Sequence, residues 1–167
     1  LVLLDQTRLP VEQVDHICAD LESVWESIRS LRVRGAPAIG IAAAYGVCVG
    51  VQGIADADVE GFFARLDMVV ERLGASRPTA VNLFWALQRM QACAEQLRGS
   101  ASTIQIRETL LREALAIHAE DRQMCRAIGA HGAELLSDGM GVLTHCNAGG
   151  LATSEYGTAL AVFFTAQ

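Results

Sequence analysis

Apolar residues recur at helical spacing through most of the chain. Asp20 precedes an apolar set spaced at i, i+3, i+7 and i+10, which predicts a helix with one buried face and Asp20 as its N-cap. That set is Leu21, Val24, Ile28 and Leu31. The next segment, residues 36–50, is rich in alanine, glycine and aliphatic residues. Because Pro37 fits the first turn of a helix, we expect a second helix there, central and buried.

Three further helices are predicted, over residues 58–74, 79–99 and 103 to about 136. Asp58 and Thr79 are suitable N-caps, and a glycine ends each of the first two segments. We expect a break near Gly129 in the third segment, since glycine weakens a helix interior.

The two ends of the chain show strand patterns. Residues 1–5 and 13–18 flank the Leu9–Pro10 break and predict a small β hairpin. Near the other end, residues 140–145 predict a buried strand, 146–153 a glycine-containing loop and 157–166 a helix, the opening unit of a doubly wound parallel sheet. The predicted class is α/β: a mainly helical N-terminal domain (1–137) with a hairpin, then the first βα unit of a truncated Rossmann-like domain (138–167).

Composition excludes several classes of protein. Of the 167 residues, 51% are hydrophobic and 19% charged, which is too apolar for disorder. Thirteen basic residues against 19 acidic ones give a net charge of −6, and the arginines are scattered, so we expect no nucleic-acid partner. The sequence has no lysine, which excludes Schiff-base chemistry. The longest apolar run, 36–51, is short and interrupted by glycine, so we expect no membrane span.

The cysteines indicate the compartment. There are five, an odd number, widely spaced and without a C-x-x-C pair. A disulfide framework or a zinc finger would show a different pattern, so we expect a reducing, cytoplasmic setting.

Two segments that join an arginine to a helix start are candidate anion sites. Free N–H groups beside Arg34, in Arg34-Gly35-Ala36-Pro37, could bind a phosphate. The alternative is a tight helix–helix turn with a solvated arginine. Arg77 stands before the next helix start, and only in combination with Arg34 does it suggest convergence on one phosphorylated ligand.

Cys146 is the third candidate. A thiol at the carboxyl end of a strand, facing a helix N-terminus, is placed for a reactive role, whereas the alternative is a buried cysteine that only packs. His145 lies beside it, but one His-Cys pair lacks the ligands of a metal site, so no metal is expected.

Three segments together, residues 28–40, 77–83 and 143–149, resemble the methylthioribose-1-phosphate isomerase family. The resemblance spans essentially the whole chain. It implies a helical N-terminal domain followed by a Rossmann-like domain, with the active site between them, and a homodimer. It further implies that Arg34, Gly35 and Ala36 bind the substrate, chiefly its phosphate, that Arg77 is a second substrate arginine, and that Cys146 stabilises the transition state.

The reaction that the resemblance implies is an aldose–ketose isomerisation in methionine salvage, from 5-methylthioribose 1-phosphate to 5-methylthioribulose 1-phosphate. The partner is a small phosphorylated sugar, and no cofactor is expected. Hydrogen could move as a hydride from C2 to C1 or as a proton through an enediol. We favour the hydride shift, because the apolar helix of residues 36–51 would provide a dry wall.

The chain also departs from the family. The family's catalytic aspartate, a glutamine and an Asn-Lys pair have no counterpart in these 167 residues. Ser154 and Glu155 stand where the family often has glycine, and Asp138 precedes the strand, at the wrong end to replace the acid. We therefore expect a fragment that is inactive alone.

Three alternatives stay open. The family includes non-catalytic regulatory subunits of the translation initiation factor that exchanges guanine nucleotide. A related enzyme isomerises ribose 1,5-bisphosphate, but no extra basic residues stand ready for a second phosphate. A helical interaction module would explain the helices but not the loop around Cys146.

Overall fold

A computed structural model describes all 167 residues. In chain order its elements are strands β1 (Val2–Leu4) and β2 (Asp15–Ile17), helices α1 (Leu21–Arg29), α2 (Ala36–Gly50), α3 (Val59–Gly74), α4 (Val81–Glu95) and α5 (Thr103–Ala133), a 3-10 turn (Gly150–Ala152) and helix α6 (Ala159–Ala166). The fold is mainly helical, with a single two-stranded sheet. None of these helices combines the length and the apolar character that crossing a membrane requires.

The locally encoded elements agree with the sequence. The hairpin is confirmed: β1 and β2 pair antiparallel, with Leu3 opposite His16. The Asp20 cap is confirmed as well, since the N–H of Ser23 donates to Asp20 Oδ1 at 2.8 Å. Asp58 caps α3 through the N–H of Gly61, also at 2.8 Å. Each feature depends on neighbours within a few residues, which explains why the pattern reveals it.

Helix α2 lies at the centre of the molecule, as predicted. It packs against α1, α3, α4 and α5. A Cβ atom on Gly46 would lie 2.8 Å from Val24 Cγ1 in α1, and one on Gly50 would lie 2.7 Å from Val69 Cγ2 in α3. Its small residues therefore allow the surrounding helices to approach closely and bury a continuous apolar core.

The break near Gly129 does not occur. Helix α5 runs uninterrupted for 31 residues. Gly129 and Gly132 instead form the surface on which α6 packs: Cβ atoms there would lie 2.5 Å from Thr165 Oγ1 and 2.4 Å from Val162 Cγ2. Close packing against α6 accounts for these glycines without any interruption of the helix.

Two helix ends differ from the sequence prediction. Leu31 does not belong to the buried face of α1, because the helix ends at Arg29; Leu31 has a φ of 67° and is 40% exposed. Helix α4 begins at Val81 with Ala80 as N-cap, so Thr79 is not the cap. This helix ends at Glu95, and Gly99 lies in the turns that follow.

The predicted strand over residues 140–145 is wrong. Residues 141–145 have no strand structure and make no backbone hydrogen bond, and Leu143 is 95% exposed. A parallel strand needs a neighbour to receive its N–H and C=O groups, and no other part of this chain lies beside it. The helix predicted after the loop is present as α6, starting at Ala159. The Rossmann-like domain and the boundary between residues 137 and 138 stay predictions.

Candidate active site

A single cavity brings together all five residues singled out in the sequence. It has a volume of about 940 Å³ and opens where the N-termini of α2 and α4 meet the loop after residue 145. Arg34, Gly35, Ala36, Arg77 and Cys146 all line it. These residues come from three distant parts of the chain, so only the tertiary structure joins them.

Two helix N-termini face this cavity without side-chain caps. Helix α2 begins at Ala36 after Gly35, and α4 begins at Val81 after Ala80. The backbone N–H groups of the first helical residue in each case find no acceptor in the chain. Each helix N-terminus therefore presents both the positive end of its dipole and a free N–H donor to the cavity. This part of the cavity is suited to binding an anion.

Two arginines that line the cavity have no partner. Most arginines of this chain form salt bridges: Arg8, Arg32, Arg72, Arg89, Arg98, Arg107, Arg122 and Arg126. Arg65 and Arg112 donate hydrogen bonds to oxygens. Arg34 and Arg77 do neither, and no aspartate or glutamate lines the cavity. The cavity therefore carries uncompensated positive charge, which supports the anion-site interpretation over that of a plain turn.

Cys146 is the exposed cysteine of the chain, which contradicts the packing alternative for it. It has a φ of 68°, in the left-handed region that β-carbon sterics disfavour. Burial raises the pKa of the Cys48 thiol to about 12, and burial also raises the pKa values of Cys93 and Cys125. Because a thiolate is the reactive form, these three thiols are poor nucleophiles, whereas Cys146 opens into the cavity.

Part of the cavity wall comes from the end of the 3-10 turn Gly150–Ala152, since Ala152 lines the cavity. Gly35 has a φ of 99°, and a Cβ atom on it would lie 2.4 Å from the Cα of Ala152. Gln6 Nε2 also donates to the carbonyl oxygen of Leu151 at 2.7 Å. The corner before α2 and the loop after Cys146 are thus in direct contact.

Several polar residues of the cavity were not predicted. Thr79, Asn82, Asn147 and Thr158 line it and could bind the hydroxyl groups of a sugar. Asn82 lies in the same motif as Arg77, and Asn147 directly follows Cys146. Membership of these two motifs is the sequence feature that could have identified them as site residues. No set of three or more His, Cys, Asp or Glu side chains is arranged to hold a metal ion.

Comparisons with known proteins cover the whole site. Residues 32–167 match the model of the initiation factor 2 subunit family. Over its full length the chain is 52% identical to a 5-deoxyribose 1-phosphate isomerase of Bacillus cereus, of which it covers 48%. Over 99% of its length it is 52% identical to a methylthioribose-1-phosphate isomerase of Geotalea daltonii, again covering 48%. The chain spans about half the length of the curated relatives it matches.

Solved structures give the same result. The crystal structure of the translation initiation factor eIF-2B subunit delta from A. fulgidus superposes with a TM-score of 0.88 at 41% identity, over 99% of this chain and 48% of that one. The structure of 5-methylthioribose 1-phosphate isomerase from Pyrococcus horikoshii OT3 superposes with a TM-score of 0.89 at 38% identity, over 96% and 45%. The resemblance inferred from the three sequence motifs is confirmed, and the chain belongs to the initiation factor 2 subunit family.

Proposed function

We propose that the full-length protein is a sugar-phosphate isomerase that converts 5-methylthioribose 1-phosphate to 5-methylthioribulose 1-phosphate in methionine salvage. One observation carries the proposal. Two unpaired arginines, two uncapped helix N-termini and an exposed cysteine share one cavity that has no acidic side chain. Homologues named for isomerisation of a sugar 1-phosphate support it.

Each part of the cavity has a role in this proposal. Arg34 and Arg77 hold the phosphate together with the backbone donors at the start of α2, since guanidinium groups match phosphate oxygens in geometry and charge. Asn82 and Asn147 bind sugar hydroxyls. The sugar carbons then lie beside Cys146, which stabilises the transition state.

The isomerisation is balanced within the substrate. The bond between C1 and the ring oxygen breaks, hydrogen moves from C2 to C1 with its electron pair, and the C2 hydroxyl loses its proton to become a carbonyl. The former ring oxygen gains a proton. Loss of the hydride oxidises C2, and its arrival reduces C1. Because the two changes cancel within the substrate, we propose that no external cofactor takes part. A dry site favours this route over proton exchange with water.

The acid that moves these protons lies outside these 167 residues in our proposal. The resemblance implies a catalytic aspartate, a glutamine and an Asn-Lys pair at positions that have no counterpart in this chain. We therefore propose that the chain alone binds phosphate without turnover. For the full-length protein we propose a homodimer in the cytoplasm; the free state of all five cysteines fits a reducing compartment.

The test is direct. The full-length protein is incubated with 5-methylthioribose 1-phosphate, and the ketose product is followed by ¹³C NMR. We expect turnover that Cys146→Ala abolishes. Parallel incubation with 5-deoxyribose 1-phosphate separates the two substrates for which the relatives are named. Phosphate binding without turnover of either sugar would refute the enzyme assignment.

The second candidate is a regulatory subunit that binds a sugar phosphate or a protein without turnover. The close superposition on eIF-2B subunit delta favours it. It gives no reason for Cys146 to lie exposed beside the arginines, which is why we place it second. For a ribose 1,5-bisphosphate isomerase, the cavity offers only two unpaired arginines, enough for a single phosphate.

A further inference from the structure

The loop of residues 152–154, which lines the cavity through Ala152 and Thr153, is hydrogen-bonded to a residue outside the three predicted motifs. Asp121 lies within α5 and is only 8% exposed. Its Oδ2 atom accepts a hydrogen bond from the backbone N–H of Ser154 at 2.7 Å. The thiol of Cys125, one helical turn further on, lies 3.8 Å from the same oxygen. Asp121 itself does not line the cavity of Arg34 and Cys146.

The contacts continue from this hydrogen bond to the cavity wall. Thr153 and Ala152, which directly precede Ser154, both line the cavity. Ala152 meets Gly35 so closely that no Cβ atom would fit between them. Thr153 Oγ1 accepts the N–H of Gly157 at 3.2 Å and donates to the carbonyl of Glu155 at 2.9 Å, so the loop is also cross-linked by its own hydrogen bonds. We therefore expect a displacement at Ser154 to move the wall at Ala152.

A second set of contacts between this loop and α5 lies at the protein surface. Glu155 pairs with Arg126 at 2.7 Å and with Arg122 at 3.2 Å. Arg122 directly follows Asp121 in α5, and Arg126 lies five residues after it. Both arginines are more than half exposed, so these ion pairs contribute little. A hydrogen bond to a buried carboxylate is stronger, and its loss leaves a buried group unsatisfied. Asp121 therefore makes the buried side-chain hydrogen bond that ties this part of the loop to α5.

We propose that Asp121 is a positioning residue that holds residues 152–154 against Gly35 and so sets the shape of the phosphate-binding end of the cavity. Its effect on substrate rests on the proposed function, but its effect on the loop does not. No sequence pattern marks Asp121 for this role, because its partner Ser154 lies 33 residues away along the chain.

The experiment compares three variants of the full-length protein. Asp121→Ala removes the acceptor, and Asp121→Asn keeps an oxygen that can accept the same N–H. Glu120→Ala is the matched control, since Glu120 pairs with Arg89 and does not touch the loop. Two quantities are measured: hydrogen exchange of peptides that cover residues 150–158, and the dissociation constant for inorganic phosphate by calorimetry.

We expect Asp121→Ala to exchange faster in residues 150–158 only. It should bind phosphate about tenfold more weakly, because binding must then re-order the released loop, at a cost of up to the free energy of one buried hydrogen bond. Asp121→Asn should restore both quantities to within about threefold of wild type, because a neutral acceptor retains part of the bond. Glu120→Ala should change neither. Should Asp121→Ala fail to fold, Asp121→Ser carries the test, as its side chain is too short to reach Ser154.

Unchanged exchange in residues 150–158 in folded Asp121→Ala, or in Asp121→Ser where it takes its place, would overturn the proposal. Equal loss of phosphate affinity in Glu120→Ala would overturn it too. If wild-type protein binds no phosphate while exchange still rises only in Asp121→Ala, the proposed function fails and the loop anchor stands.

Discussion

A Cβ atom on Gly35 would lie 2.4 Å from the Cα of Ala152, closer than real side chains approach. This contact joins the corner between α1 and α2 to the loop that follows Cys146. Glycine is required at position 35 for two reasons. Its φ of 99° suits a residue without a Cβ atom, and the backbone of Ala152 occupies the space that a Cβ atom would need. The cavity exists in its present shape because these two segments touch.

Gly35→Ala should therefore be strongly destabilising. Backbone strain alone costs about 1–3 kcal/mol, and the clash with Ala152 adds to it. Gly53→Ala is the matched control, because Gly53 has a φ of 81° with nothing near its Cβ position, so only the strain of about 1–2 kcal/mol remains. Denaturant unfolding measures both. Equal losses in the two variants would show that the contact with Ala152 is unimportant.

Removal of either cavity arginine should weaken anion binding. Arg34→Ala and Arg77→Ala each lose charge-assisted hydrogen bonds to phosphate, so we expect dissociation constants at least tenfold higher, about 1.5–3 kcal/mol. Arg29→Ala is the control, since Arg29 also lacks an ion pair but lies outside the cavity. Calorimetric titration with inorganic phosphate provides the measurement. A loss of the same size in Arg29→Ala would indicate a general charge effect.

Cys146 should be the first cysteine to react with iodoacetamide. It is exposed, whereas burial raises the pKa values of Cys48, Cys93 and Cys125 and so lowers the thiolate fraction of those three thiols. Phosphate bound between Arg34 and Arg77 should slow labelling at Cys146 alone. Mass spectrometry of tryptic peptides follows each site. Labelling that phosphate leaves unchanged would place the anion away from the thiol.

Asp5 should make stability depend on pH in the acid range. The Thr7 hydroxyl, which donates to Asp5 Oδ1 at 2.6 Å, lowers the pKa of this carboxyl, and the ion pair with Arg32 lowers it further. A folded pKa below the unfolded value of about 3.9 stabilises the protein above that pH. The contribution is lost as the pH falls from about 4 through the lowered pKa.

Asp5→Asn should remove this part of the acid dependence, so its stability should fall less steeply than that of wild type below about pH 4. Asp138→Asn, which replaces an exposed carboxyl without an ion pair, serves as the control. Thermal unfolding at a series of pH values measures the slopes. Parallel slopes for wild type and Asp5→Asn would contradict the prediction.

Features that depend on near neighbours in the chain are predicted more accurately than those that depend on packing between distant segments. Asp20 and Asp58 were identified as caps because a cap is a contact across three residues. Thr79 was misassigned because the sequence offers a cap residue that α4 does not use. The strand over residues 140–145 was wrong because an apolar run does not reveal whether a pairing partner exists. A glycine within a helical pattern predicts a break at Gly129, whereas the structure shows that this glycine is where the distant helix α6 packs closely against α5.

The amino-acid sequence by itself determined the hairpin, most helix starts and the identity of the residues that can bind an anion, because these depend on short-range chemistry. The tertiary structure decided which of those residues meet. It left Arg34 and Arg77 unpaired around one cavity, placed Cys146 beside them and anchored the loop through Asp121. Such convergence depends on how α2, α4 and α5 pack, and packing joins residues whose separation along the chain carries no periodic signal.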